Sequence, residues 1–265
     1  MTLLAHDIQG QGGTTVLMLH GIGGGRSVWS QRGSGTVAAL ADAGYRAVAA
    51  DLPGYGDSAA GPLLDLAAMV SAVIELIDHL AAPQTLLLGH SMGGMVAQEL
   101  IARQPQRVQG LVLACTSASF GSQDGAWQSK FIAERLAPLD AGLGMRGMAQ
   151  KLVPGLVAPT ARPAALELAS EVMSRVPEAT YRASLKAIAG FDRRAALGSI
   201  AVPTLCLAAE HDRTAAPEVM QRMASRIPGA QYQCLAQAGH IANVEQPQAF
   251  NAAVLAFVRQ HFAPA

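Results

Sequence analysis

Residues 85–103 combine three features that few folds accommodate together. Thr85-Leu86-Leu87-Leu88 is a short apolar run that reads as a buried strand. Gly89-His90-Ser91-Met92-Gly93 follows, with Gly94 after it, and residues 95–103 then carry a helical pattern that stops near Pro105. A strand that turns sharply into a helix strains the backbone at its apex, so the flanking positions must be free of β-carbons. Such a turn lifts the Ser91 hydroxyl above the sheet. It also aims the first N–H groups of the helix, at the positive end of its dipole, toward the same point. Ser91 is therefore a candidate nucleophile. The order strand, G-x-S-x-G, helix separates this reading from a chance match in a chain with 27 glycines.

Elsewhere, strands and helices alternate. Residues 14–19 read as a strand running into His20-Gly21-Ile22-Gly23-Gly24-Gly25. This loop has neither the G-x-G-x-x-G spacing nor the Walker lysine of a phosphate cradle. It reads instead as an oxyanion loop, with the Ile22 N–H as a second donor beside that of Met92. His20, beneath the loop at a strand end, is assigned to hydrogen bonds that hold the loop open rather than to proton transfer. The strand 46–50 ends in Asp51-Leu52-Pro53-Gly54-Tyr55-Gly56-Asp57-Ser58, where Asp51 and Asp57 are expected to bind backbone N–H groups rather than act as acids. Leu66, Met69, Val70, Val73, Leu76, Ile77 and Leu80 mark an amphipathic helix with His79 on its surface, and Pro83 closes it. Another buried strand spans 110–116. Alternation of this kind implies parallel pairing with right-handed crossovers.

From about Phe120 to Arg194 the pattern is helical only, with runs at 131–136, 145–152, 164–176 and 180–188 punctuated by Pro138, Pro154, Pro159, Pro163 and Pro177. The expected organisation is a core of residues 1–119 and 196–265, with 120–195 as a helical cap across the strand ends, where open α/β sheets bind ligands. Trp127, Phe131, Met145, Met148, Leu152 and Met173 are candidates to line a pocket, although for each of them singly ordinary packing inside the cap is the favoured role. Arg135, Arg146 and Lys151 offer charge for a carboxylate, or simply a solvated surface. Sheet structure resumes at 204–209, followed by Glu210-His211-Asp212-Arg213. Asp212, just past the strand end, is the favoured acid, and Glu210, nearer the strand, comes second. A helix at 217–227 and a strand at 231–235 lead to Gln237-Ala238-Gly239-His240-Ile241-Ala242-Asn243, in which Gly239 lets the His240 ring reach over the sheet. Phe250, Val254, Phe257 and Val258 form the apolar stripe of a closing helix.

Composition agrees with a buried parallel sheet: 51% of residues are hydrophobic and 14% charged. Nineteen Lys and Arg balance nineteen Asp and Glu with no block of like charge, so no field recruits nucleic acid. No segment has a signal peptide's basic start and apolar core or reaches transmembrane length, and no membrane association is expected. Three cysteines, Cys115, Cys206 and Cys234, lie in apolar runs without C-x-x-C spacing. They read as buried free thiols of a cytoplasmic protein, not as disulfides or a zinc site. No cofactor and no metal are expected. Oligomeric state stays open, a homo-oligomer included.

Ser91, Asp212 and His240 thus stand in nucleophile–acid–base order at three strand ends. A serine hydroxyl needs an imidazole to take its proton, and the imidazole needs a carboxylate to fix its tautomer. With His20-Gly21, Asp51, Gly54, Gly56, Ser58, Gly89 to Gly94 and Gly239-His240, the chain resembles α/β-hydrolase-fold serine hydrolases over nearly its whole length. The wording around Gly89 to Met95 and from Gly239 to Pro247 most resembles the group of 3-oxoadipate enol-lactonases, carboxylesterases and cofactor-free haloperoxidases. The resemblance implies an α/β fold with a mostly parallel twisted sheet of seven to eight strands. An opening two-strand hairpin is usual, yet only 13 residues precede Thr14. It also implies hydrolysis of a small carboxylic ester or lactone through an acyl-enzyme. Relatives that cleave carbon–carbon bonds of dienoates or β-diketones often carry a tryptophan after the histidine, where this chain has Ile241. A slow or non-catalytic ligand receptor is the alternative from another class.

Overall fold

The computed structural model describes residues 3–82, 85–121 and 125–264. Pro83 lies outside them. Seven strands form one sheet: β1 (His6–Gln9), β2 (Thr15–Leu19), β3 (Arg46–Ala50), β4 (Thr85–His90), β5 (Val108–Ala114), β6 (Thr204–Ala209) and β7 (Gln231–Leu235). Their order is β1-β3-β2-β4-β5-β6-β7, and every pair is parallel except β1 against β3. The opening residues thus supply one short antiparallel edge strand, at the lower end of the expected strand count.

Successive side chains on a strand face opposite sides, and both sides of this sheet are covered. The helices are α1 (Thr36–Asp42), α2 (Leu66–His79), α3 (Met92–Arg103), α4 (Ala126–Asp140), α5 (Gly144–Leu152), α6 (Pro163–Ser174), α7 (Glu178–Ile188), α8 (Pro217–Ala224), α9 (Ala242–Glu245) and α10 (Pro247–His261). Leu17, Leu19, Leu87, Leu111 and Leu113 pack with Val73 and Leu76 of α2 and Val96 and Leu100 of α3. Their neighbours Val16, Met18, Leu86, Leu88 and Val112 pack on the other side with Leu40 of α1 and Phe250, Val254 and Phe257 of α10. Among the described residues no helix is long and apolar enough to cross a membrane.

The chain crosses from β2 to β3 on one side and returns to pair β4 on the other. Strand ends at such a reversal leave a crevice, and Ser91 lies at the end of β4 beside His20 at the end of β2. Between β5 and β6 come α4 to α7, with one antiparallel bridge, Ser119 to Asp192, where the segment leaves and rejoins the sheet.

Two expectations are corrected. Pro138 does not end its helix, since α4 continues to Asp140. Being in the last turn, the proline forfeits a backbone bond only near the terminus. Cys115 and Cys206 are buried, but Cys234 is exposed, because β7 is the edge strand of the sheet and Gln233 and Cys234 are open to solvent there.

Candidate active site

The turn after β4 is as tight as its sequence demands. Ser91 has φ 52° and ψ −118°, a region L residues rarely occupy. A β-carbon on Gly89 would lie 2.5 Å from the Gly93 carbonyl oxygen, and one on Gly93 would collide with the Leu19 carbonyl. The turn is secured from β5: Ser91 N–H donates to Ala114 O at 3.0 Å, and Thr116 Oγ1 donates to Ser91 O at 2.8 Å. α3 starts at Met92, so the Met92 N–H is its first free donor.

His240 Nε2 lies 3.0 Å from Ser91 Oγ, and His240 Nδ1 lies 2.8 Å from Asp212 Oδ2. An ionised carboxylate only accepts, so Nδ1 carries the proton and Nε2 is left as the acceptor facing Ser91. Asp212 Oδ1 accepts from the N–H groups of Thr214 (2.7 Å) and Ala215 (2.9 Å). Burial alone would raise the Asp212 carboxyl, but the His240 ring and these two donors more than offset it and hold it below the ordinary range. Glu210 is exposed and accepts from Gln237 N–H at 2.8 Å, away from this chain of bonds.

The loop after β2 faces the same point. A β-carbon on Gly21 would lie 3.1 Å from Ser91 Cβ. Gly21 O receives His20 Nδ1–H at 2.8 Å and Gly24 N–H at 2.9 Å. In a trans peptide the C=O and the following N–H point opposite ways, so these two bonds also set the direction of the Ile22 N–H. Among the described residues no acceptor in the chain takes the Ile22 or the Met92 N–H. His20 Nε2 accepts from Leu52 N–H at 3.0 Å, which requires a neutral ring, and burial pushes its pKa down accordingly. Tyr55 Oη donates to Ile22 O at 3.1 Å. Asp51 binds the N–H groups of Arg26 (2.7 Å) and Asp57 (3.2 Å) and the Arg26 guanidinium, which also reaches Asp57. Both aspartates are thereby engaged in shaping the loop.

Of the six apolar side chains considered for a pocket, Met173 lies against this loop: a β-carbon on Gly23 would sit 3.5 Å from its Sδ. Met145 and Met148 are buried, and Leu152 is half-buried against the core. Trp127 is exposed and stacks on Phe131 at 4.9 Å. Arg135 lies over the Phe131 ring at 5.0 Å, whereas Arg146 and Lys151 are exposed. His90, which its place in the G-x-S-x-G run does not mark as a site residue, donates its Nε2–H to the His240 carbonyl at 2.6 Å. It is buried, and that burial together with the neighbouring His240 brings its pKa to about 4. No periodicity could reveal it, since it ends β4 in an unbroken run of buried residues and its partner is a backbone carbonyl.

The model of the Alpha/beta hydrolase family matches residues 16–253. A protein of Variovorax paradoxus (strain S110), named provisionally as the carbamate hydrolase RutD, is 33% identical, with 98% of each chain covered. 3-Oxoadipate enol-lactonase 2 of Acinetobacter baylyi is 30% identical over 98% of this chain and 96% of its own. Among solved structures, a thermophilic esterase from Thermogutta terrifontis superposes with a TM-score of 0.86 at 28% identity, covering 98% of this chain and 94% of its own.

Proposed function

The chain belongs to the alpha/beta hydrolase family, and we propose that it is a serine hydrolase that cleaves a small carboxylic ester or lactone through an acyl-enzyme. The observation that carries this reading is the continuous chain Ser91 Oγ–His240 Nε2, His240 Nδ1–Asp212 Oδ2, at 3.0 and 2.8 Å. In the proposed cycle Ser91 Oγ attacks the carbonyl carbon and its proton passes to His240 Nε2. Asp212 stabilises the imidazolium without taking the proton. The N–H groups of Met92 and Ile22 hold the oxyanion, each such donor being worth about 10²–10³-fold in rate. Collapse expels the alcohol, which takes the proton from His240. A water then attacks the acyl group by the same relay and frees the acid. In a lactone, acyl and leaving groups stay joined, so the product is one hydroxy acid.

Residues 120–195 are read as a helical cap over residues 1–119 and 196–265, with α6 delivering Met173 to the oxyanion loop. The enol-lactonase relative supports the lactone arm, and the carbamate hydrolase name adds a carbamate carbonyl to the substrates worth assaying. The test is kcat/KM on parallel ester, lactone, carbamate and β-diketone panels, with Ser91→Ala as control. Ester or lactone turnover that disappears in Ser91→Ala is expected. Turnover of diketones alone would transfer the reading to carbon–carbon cleavage, and turnover that survives in Ser91→Ala would end it.

A further inference from the structure

Glu245 ends the short helix α9 and is 2% exposed, yet among the described residues its carboxylate bonds only backbone N–H groups and no cation. Its Oε2 accepts from the N–H groups of Ala158 (2.7 Å) and Gly239 (3.0 Å), and its Oε1 accepts from Ile241 N–H (3.1 Å). Two of these donors flank His240 on either side, and the third belongs to the helical region between β5 and β6. The same two segments meet again where His240 N–H donates to Leu156 O at 2.7 Å. They approach so closely at Gly239 that a β-carbon there would lie 2.6 Å from Leu156 O and from Ala158 N.

We propose that Glu245 is a positioning residue for His240, clamping the residues on either side of the base, Gly239 and Ile241, to residues 156–158; this rests on the Ser91–His240–Asp212 reading given above. Three donors converge from two segments on one small buried site. An ionised carboxylate meets all of them, because both its oxygens accept and neither offers a proton. Burial raises the carboxyl, and the three N–H bonds and the nearby His240 ring offset only part of that rise. A buried anion without a cation is costly, so a site that keeps one needs what the anion holds in place. Here that is the direction of the imidazole: the conformation of residues 239–241 sets where Nε2 points, and Nε2 must stay 3.0 Å from Ser91 Oγ. Together with His90 on the His240 carbonyl, the clamp leaves the base little freedom. In Glu245→Gln the amide oxygen still serves Ala158 and Gly239, but the NH2 group faces the Ile241 N–H.

The test compares wild type, Glu245→Gln, Glu245→Ala and Ser91→Ala in steady-state ester hydrolysis, with active sites counted by fluorophosphonate labelling and folding followed by circular dichroism. Displacing a reacting group by about 1 Å costs about 10²-fold. Per labelled site, kcat should fall about 10²-fold in Glu245→Ala and about tenfold in Glu245→Gln, with KM within about threefold. A role in folding alone would lower the melting temperature and leave kcat per active site unchanged. That result, or a loss confined to KM, overturns the proposal. Should Glu245→Ala fail to fold, Glu245→Gln decides by the same criteria. Absence of label on Ser91 in the wild type would instead remove the serine-hydrolase reading on which the proposal stands.

Discussion

Replacing Asp212 by Asn isolates what the carboxylate does beyond filling space. Asp212 Oδ1 already accepts two backbone N–H groups, from Thr214 and Ala215. The amide oxygen of Asn must take that side, because an NH2 group there would face two donors. Its NH2 group is then turned toward His240 Nδ1, 2.8 Å away in the wild type. Nδ1 must become the acceptor, which moves the ring proton to Nε2, where it faces Ser91 Oγ. A base that already carries its proton cannot take another from serine, so geometry is kept and chemistry is lost. The expected fall in kcat is about 10⁴-fold, or about 5.5 kcal/mol of barrier, with KM changed only a few-fold. Ester hydrolysis followed at saturating substrate, with the fold checked by circular dichroism, measures this. An Asp212→Asn variant that kept even about a tenth of the wild-type kcat would refute the tautomer argument.

Other consequences are testable. His90 has a folded-state pKa of about 4 against 6.5, so the unfolded chain binds the extra proton first, and stability is full above pH 6.5 and lost as pH falls toward 4. At pH 5 this one group removes about 2 kcal/mol, with His20 acting in the same direction, so urea midpoints should drop between pH 7 and 5, and a flat profile contradicts the assignment. Glu99 of α3, 5% exposed, accepts from Arg193 twice and Arg103 once, each at 2.6 Å. With both arginines a third or more exposed and screened, Glu99→Ala should cost about 1–2 kcal/mol, read from a urea melt; an unchanged midpoint counts against the pair. Among the cysteines, Cys234 alone should react quickly with an aromatic disulfide in the native protein, and all three in denaturant. Fast reaction of two native thiols would mean that Cys115 or Cys206 is more open than described.

Much of this architecture is legible in local sequence. Leu86 to Leu88 read as a strand and residues 95–103 as a helix because each has its own periodicity, and Gly89, Gly93 and Gly94 announce the turn that joins them. Period and punctuation also delimit β3, β6 and β7 to within a residue or two. Pro138 misled because a proline's cost depends on its distance from the helix end, which the pattern of α4 does not disclose. Cys234 misled because an apolar run looks the same in a central strand as in an edge strand, and the order of strands is a property of the whole chain. His90 and Glu245 escaped notice for a different reason. Their partners are backbone groups up to 150 and 87 residues away, and a backbone N–H or carbonyl has no letter in the sequence. Ser91, Asp212 and His240 were selectable by type and by strand end, whereas the distances between them arise from strand order and from the loops that Asp51, Tyr55 and Thr116 secure.

The reactivity of Ser91 is the property on which a serine-hydrolase function depends most directly. Intact-protein mass measured after exposure to a fluorophosphonate, on wild type and Ser91→Ala, examines it without knowledge of the natural substrate. One adduct on wild type and none on Ser91→Ala is the predicted result. No adduct on wild type, or an adduct that persists in Ser91→Ala, would contradict it.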